Sequence, residues 1–163
     1  TAIAALRVLE NLNIKDEQII SGVKKAYNSC RLEEIRSGKL KDLLKNNTLI
    51  LDSSHNPGGS KALNEFLQTL NCKKHVIIGM MENKDHEKFL SYFKDISSLT
   101  VVDIPNQINA ISGVKLKEKF KNISNLNYKE SIEQAIKSLR LERNDIVLIT
   151  GSIYLAGEVL KIN

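Results

Sequence analysis

The sequence predicts an α/β protein: a doubly wound, mostly parallel, Rossmann-like sheet. Three observations carry that prediction. Apolar runs at 48–52, 75–80, 99–104 and 146–150 are unbroken rather than alternating, as in strands buried on both faces. After each comes a stretch with apolar residues at helical spacing. Strands and helices that alternate in this way pair in parallel through right-handed crossovers.

Taken in order, Ala2, Ala5, Leu6, Leu9 and Leu12 recur at helical spacing and predict a helix ending at 11–13. Asp16 is the expected cap of a second helix carrying Ile19, Ile20, Val23 and Tyr27. Residues 31–36 alternate weakly through Leu32 and Ile35 and are expected as an edge strand, with 37–47 a charged connection. The strand at 48–52 leads to a helix with Ala62, Leu63, Phe66, Leu67 and Leu70, and that at 75–80 to one with Phe89, Leu90 and Phe93. The strand at 99–104 passes through a Pro/Asn loop into a helix from Ser112 with Val114, Leu116 and Phe120. A short strand near 125–128 precedes helix 131–140 with Ile132, Ala135, Ile136 and Leu139. The strand at 146–150 meets Gly151-Ser152 and a last helix with Leu155 and Val159.

Composition bounds the function. A chain of 163 residues, 42% hydrophobic and 26% charged, is an ordinary globular composition, long enough to bury roughly 70% of its unfolded surface. No apolar run approaches the ~18 residues of a membrane span, and the start has no secretory pattern, so a cytoplasmic protein is expected. The net charge of +5 is lysine scattered along the chain, with few aromatics and no tryptophan. Nucleic-acid binders concentrate charge on one face, so that class is disfavoured. Cys30 and Cys72 lack metal spacing and read as buried spectators in a reducing compartment. Thr1 opens the sequence within a helical pattern, and a cut boundary is the expectation there.

In such a sheet the ligand crevice lies outside the C-terminal strand ends. Residues 52–56, 79–85, 105–110 and Gly151-Ser152 should therefore meet. Asp52 and His55 fit a ribose-binding carboxylate and an anion-facing imidazole, or else an Asp–His bond that shapes the loop. Lys84 could meet an anion, or Lys84 and Asp85 simply begin a helix. Ser152 offers a hydroxyl to a ligand or an N-cap to its own helix. The ordinary role for Arg31 is a surface salt bridge. His75 and His86 lack zinc-ligand spacing to His55. The GxxxxGK[ST] phosphate loop is absent from the chain.

Together the strand ends resemble a known family. Asp52-Ser53-Ser54-His55-Asn56-Pro57 resembles the D-x-A-H-N-P signature of folylpolyglutamate and dihydrofolate synthases, relatives of the Mur ligases. Gly79-Met80-Met81-Glu82-Asn83-Lys84-Asp85 is similar to their G-M-x-x-D/N-K-D segment. Thr150-Gly151-Ser152-Ile153-Tyr154-Leu155-Ala156-Gly157-Glu158 is similar to their C-terminal T/F-G-S-x-Y-x-x-G-E, and Arg31-Leu32-Glu33 to the R-L-E before the first strand. The four occur in family order.

The resemblance implies the Mur-ligase C-terminal domain type of fold at 31–163, with 1–30 a helical lead-in from an N-terminal ATPase domain. It implies ATP-driven joining of glutamate to folate or dihydropteroate through an acyl phosphate. ATP and Mg2+ would be required, with the metal ligands mainly in the P-loop domain. Arg31 and Asp52 would contact the nucleotide, Asp52 at the ribose. His55, Asn56, Lys84, Asp85 and Ser152 would face nucleotide or glutamate. The chain alone should not turn over, so no catalytic residue is assigned within it. Two other readings stand beside this one: a stand-alone small-molecule-binding module, and the remnant of a split gene. Departures from the family pattern are Asn28-Ser29-Cys30 in place of Trp-Pro-Gly, Ser53-Ser54 in place of Gly-Ala, and Asn109 in place of an arginine. If another domain covers the cleft, apolar exposure is expected around Met80 and Met81.

Overall fold

A computed structural model describes residues 14–26 and 28–163. The helix expected before residue 13, and Tyr27, lie outside these. The described chain begins with α1 (Asp16–Lys25), which buries none of its residues. Its cap is Lys15 rather than Asp16: the Lys15 backbone N–H donates to Gln18 Oε1 at 2.9 Å. Asp16 instead sits in the first turn, where a carboxylate favours the helix dipole.

Thereafter come β1 (Glu33–Ile35), α2 (Lys39–Leu43), β2 (Thr48–Leu51), α3 (Pro57–Gln68), β3 (Lys74–Ile78) and α4 (His86–Ser91). The chain continues with β4 (Ser98–Val102), α5 (Gly113–Lys119), β5 (Leu126–Lys129), α6 (Ile132–Ser138), β6 (Ile146–Thr150) and α7 (Ile153–Ile162). The strands form one sheet in the order β1-β2-β6-β3-β4-β5. Only β1 is antiparallel, paired with β2 in the register Glu33↔Leu51 to Ile35↔Leu49.

Side chains alternate across a strand, so each apolar run feeds two cores. Leu49, Leu51, Ile77, Val102, Val147 and Ile149 face α2, α6 and α7, meeting Leu40, Ile136 and Leu155 among others. Ile50, Val76, Ile78, Leu99, Val101 and Leu148 face α3, α4 and α5, meeting Leu67, Phe89 and Leu116. Burying each such side chain is worth roughly 1.5–3 kcal/mol. This two-sided burial is the physical reason the runs are unbroken.

One local reading of the sequence gives way. The charged connection contains α2, which buries Leu40 and which Leu44 follows into the core. Its N-terminus is satisfied from far along the chain: Asn163 Oδ1 accepts the N–H groups of Leu40 at 3.0 Å and Lys41 at 3.3 Å. The Lys39 N–H donates to the Asn163 carbonyl at 2.8 Å. Val114 in α5 is exposed, because this seven-residue helix buries only the stripe of Gly113 and Leu116. Cys30 is buried, and Cys72 partly so.

Candidate functional site

The loops at the C-terminal strand ends are joined through their backbones. The Asp52 N–H donates to the Ile149 carbonyl at 3.0 Å, carrying the β2–β6 ladder one residue past the strand. The Ser54 carbonyl accepts the Gly151 N–H at 3.0 Å and the Thr150 hydroxyl at 3.4 Å. Gly151 has φ +108, and a Cβ there would lie 2.7 Å from the Gly79 carbonyl oxygen. Only glycine fits that junction. The loop after β3 is braced by the loop after β4, with Glu82 N–H donating to Asn109 O at 2.9 Å and Ile111 N–H to Met80 O at 3.1 Å.

Above this frame lies a cleft of about 500 Å³ walled by His55, Lys84, Asn109, Ser152 and Tyr154. Two helices begin beside it. Asn56 Oδ1 accepts the Gly59 N–H at 2.9 Å and caps α3; Ser152 Oγ accepts the Tyr154 N–H at 3.1 Å and caps α7. Each helix start carries roughly half a positive charge, which favours an anion. His55 Nδ1 sits 3.0 Å from the Ser53 carbonyl. A carbonyl only accepts, so Nδ1 holds the proton and Nε2 is the nitrogen left for a ligand. No Asp52–His55 bond forms; the loop is shaped by Ser53 instead. Lys84 is half-buried and has no carboxylate partner among the described residues. Asp85 caps α4 by accepting the Lys88 N–H at 3.1 Å.

Arg31 and Asp52 meet at a neighbouring notch of about 280 Å³ that Ser54 and Gly59 also line. Asp52 is only 3% exposed. Its Oδ2 accepts the Leu32 N–H at 2.9 Å and its Oδ1 the Ser54 N–H at 2.7 Å. Arg31 Nη1 donates to Ser54 Oγ at 3.3 Å. Both neighbours of Arg31 are left-handed, Cys30 at φ 58 and Leu32 at φ 47. Such residues persist only where their surroundings over-determine them. Here Glu33 Oε2 accepts the Cys30 N–H at 2.8 Å, and the Cys30 carbonyl accepts the Ser53 N–H at 2.8 Å. Burial, then the Glu33 and Asp52 carboxylates, push the Cys30 thiol up, so it stays protonated.

The structure thus brings His55, Lys84 and Ser152 to one cleft, and Arg31 and Asp52 to the notch beside it. Asn56 and Asp85 serve as helix caps at its edge. The apolar exposure expected at Met80 is not there: Met80 is fully buried, held down by its place beneath Gly151. Exposed apolar surface falls instead on Ile153, 61% exposed, and on Tyr154 and Ile108. Ser54 and Tyr154 went unmarked in the sequence although both lie inside the quoted motifs. Their signal was position in a strand-end loop, which singles out no residue type. Among the described residues no three His, Cys, Asp or Glu side chains are grouped to hold a metal ion, and no helix is long and apolar enough to cross a membrane.

A family model described as "Mur ligase, glutamate ligase domain" matches residues 31–153. The dihydrofolate synthase/folylpolyglutamate synthase of Bacillus subtilis (strain 168) is 27% identical over 160 residues, covering 93% of this chain and 34% of its own. The structure of E. coli FolC in complex with DHPP and ADP superposes with a TM-score of 0.80 at 22% identity, over 99% of this chain and 37% of that one. The folylpolyglutamate synthase of Thermotoga maritima gives a TM-score of 0.71 at 27% identity, over 98% of this chain and 38% of that one. The chain spans little more than a third of the length of these relatives.

Proposed function

Because this chain belongs to the Mur ligase glutamate ligase domain family, we propose that it is the nucleotide- and glutamate-facing C-terminal part of an ATP-dependent amide ligase of the cytoplasm. The enzyme adds glutamate to folate or dihydropteroate. ATP phosphorylates a carboxylate of the pterin substrate; the glutamate amine then attacks the acyl carbon, a C–N bond forms, the C–O bond breaks and phosphate leaves. The observation that carries this reading is the cleft at the strand ends, where His55, Lys84 and Ser152 converge beside the starts of α3 and α7.

In this reading Arg31, presented by its braced turn, and Asp52 hold the nucleotide. His55 Nε2, Asn56, Lys84, Asp85 and Ser152 line the path of phosphate and glutamate. The partner is an N-terminal P-loop domain of the same enzyme, with 1–30 the helical lead-in from it and 31–163 the C-terminal domain. That partner supplies the phosphate grip and most of the Mg2+ ligands. Closing the two domains expels water and completes the electrostatic site, which is most of what phosphoryl transfer needs from a protein. The exposed Ile153 and Tyr154 at the cleft mouth support such a covering domain.

The test is an assay of the full-length enzyme with ATP, glutamate and each pterin acceptor, following ADP and the glutamylated product by mass spectrometry. ADP release should require both acceptor and glutamate, and Arg31→Ala should raise the KM for ATP about tenfold or more, the worth of one charged hydrogen bond. ATP turnover indifferent to glutamate would overturn the ligase assignment. Turnover by the 163-residue chain alone would overturn the need for a partner domain.

A further inference from the structure

At the opposite end of the sheet from the cleft, a second cavity of about 560 Å³ opens between the starts of β3 and β4, strand β5 and the end of α6. Six of its residues matter: His75, Ser98, Thr100, Asn127, Lys129 and Arg140. The register places five of them on one face, with His75 opposite Ser98, Thr100 opposite Asn127, and Lys129 two residues further along β5, while Arg140 follows α6. No carboxylate lines the cavity.

Three groups there are unpartnered. Thr100 is 1% exposed, yet its hydroxyl has no hydrogen-bond partner among the described residues. Neither the Lys129 ammonium nor the Arg140 guanidinium has an ion-pair partner among them. The rest of the wall is fixed. The His75 ring is held between Ser98 Oγ, 2.8 Å from Nδ1, and Asp145 Oδ2, 3.3 Å from Nε2. Asp145 also accepts the Glu142 N–H at 2.6 Å and stands behind the ring, outside the cavity.

The charge balance favours an anion. Lys73 at the rim is neutralised by Glu142, to which it is bonded. The C-terminal end of α6 contributes roughly half a negative charge, and Asp145 behind the His75 ring a full one. Against these stand the full charges of Lys129 and Arg140. The volume falls in the range of small-molecule sites, roughly 300–1,000 Å³. A planar fork, a point charge and a hydroxyl donor around one polar cavity suit a tetrahedral oxyanion.

We propose that this cavity binds the phosphate group of a small molecule, at a site separate from the ligase cleft. Arg140 and Lys129 supply the charge, and Thr100 the hydroxyl contact. The inference does not rest on the ligase reading.

Isotope-labelled chain titrated by NMR with inorganic phosphate, and separately with ribose 5-phosphate, tests it. Saturable shifts are expected at Ser98, Thr100, Asn127 and Lys129, with a dissociation constant of about 1 mM or tighter. The double variant Lys129→Gln, Arg140→Gln should weaken them about tenfold or more, while any shifts at His55 and Ser152 persist. Both substitutions are at solvent-reached side chains, and an unchanged spectrum elsewhere verifies the fold. Tighter binding of ribose 5-phosphate identifies a phosphorylated metabolite as the ligand; equal affinity identifies free phosphate. Shifts that do not saturate, that miss these residues or that survive the double variant would overturn the proposal.

Discussion

At the C-terminal ends of the strands, His55, Lys84 and Asn109 face a cleft with little holding their outer atoms, whereas at the strand starts His75, Ser98 and Asp145 are tied to one another. In the first region the backbone carries the architecture: Gly151, the Ser54 carbonyl and the turns around Arg31. In the second, backbone bonds such as Ser97 N–H to Lys74 O at 2.8 Å are joined by a network of buried side chains. A loop whose shape is set by backbone leaves its side chains available for a ligand. A region that also spends side chains on its own shape has fewer to spare, and there the free groups are confined to Thr100, Lys129 and Arg140.

The largest expected effect comes from breaking the backbone junction. Gly151→Ala forces a side chain onto φ +108 with its Cβ 2.7 Å from the Gly79 carbonyl. We expect about 3 kcal/mol of destabilisation in urea unfolding, from backbone strain plus the clash. A loss below about 1 kcal/mol would mean that the loops relax independently and that the contrast between the two ends is false.

A smaller effect should follow at the other end. Asp145→Ala removes the acceptor for the Glu142 N–H and leaves His75 Nε2 unpaired in a buried place, costing about 2 kcal/mol. The amide shifts of Ser152 and His55 should stay where they are. Movement of both would show that the ends are coupled through the sheet.

The smallest effect sharpens the comparison at the flank of the sheet. The Tyr128 hydroxyl donates to Asp103 Oδ2 at 2.6 Å, and Asp103 Oδ1 accepts the Gly113 N–H at 2.6 Å. That hydrogen bond, then desolvation, pushes the phenol up to about 12. The folded value lies above the unfolded value of about 10, so this contribution is complete below pH 10 and is lost as pH rises through about 12. Tyrosinate absorbance, read as wild type minus Tyr128→Phe, should show the late ionisation, and Asp103→Asn should bring it earlier. An early midpoint in the wild type would remove Asp103 from its role at the start of α5.

How much of this was legible follows from range. The alternation of buried runs and helices is a local pattern, and it yielded the parallel doubly wound sheet and the edge placement of β1. Helix α2 was not legible, because five residues show no period and its cap, Asn163, lies 123 residues from Leu40. Met80 and Met81 looked alike in sequence; the Gly79–Gly151 contact decides which is buried. In the site, the motifs drew attention to Arg31, Asp52, His55, Lys84 and Ser152. Their division between a cleft and a notch depends on the Ser54 backbone, which no residue pattern encodes. The Thr100, Lys129 and Arg140 cavity was invisible for the same reason: its members come from separate elements and match no motif.

The place of β6 in the sheet has a consequence for how the chain is made. It lies between β2 and β3, yet follows both in sequence, with β4 and β5 coming before it. Until Ile146–Thr150 leaves the ribosome, β2 and β3 have no shared neighbour, and each exposes an open apolar edge. The nascent chain must therefore wait as two unfinished halves, the condition in which exposed edges invite mispairing. Folding is gated by the arrival of one late strand, and pairings so distant in sequence are slow to form.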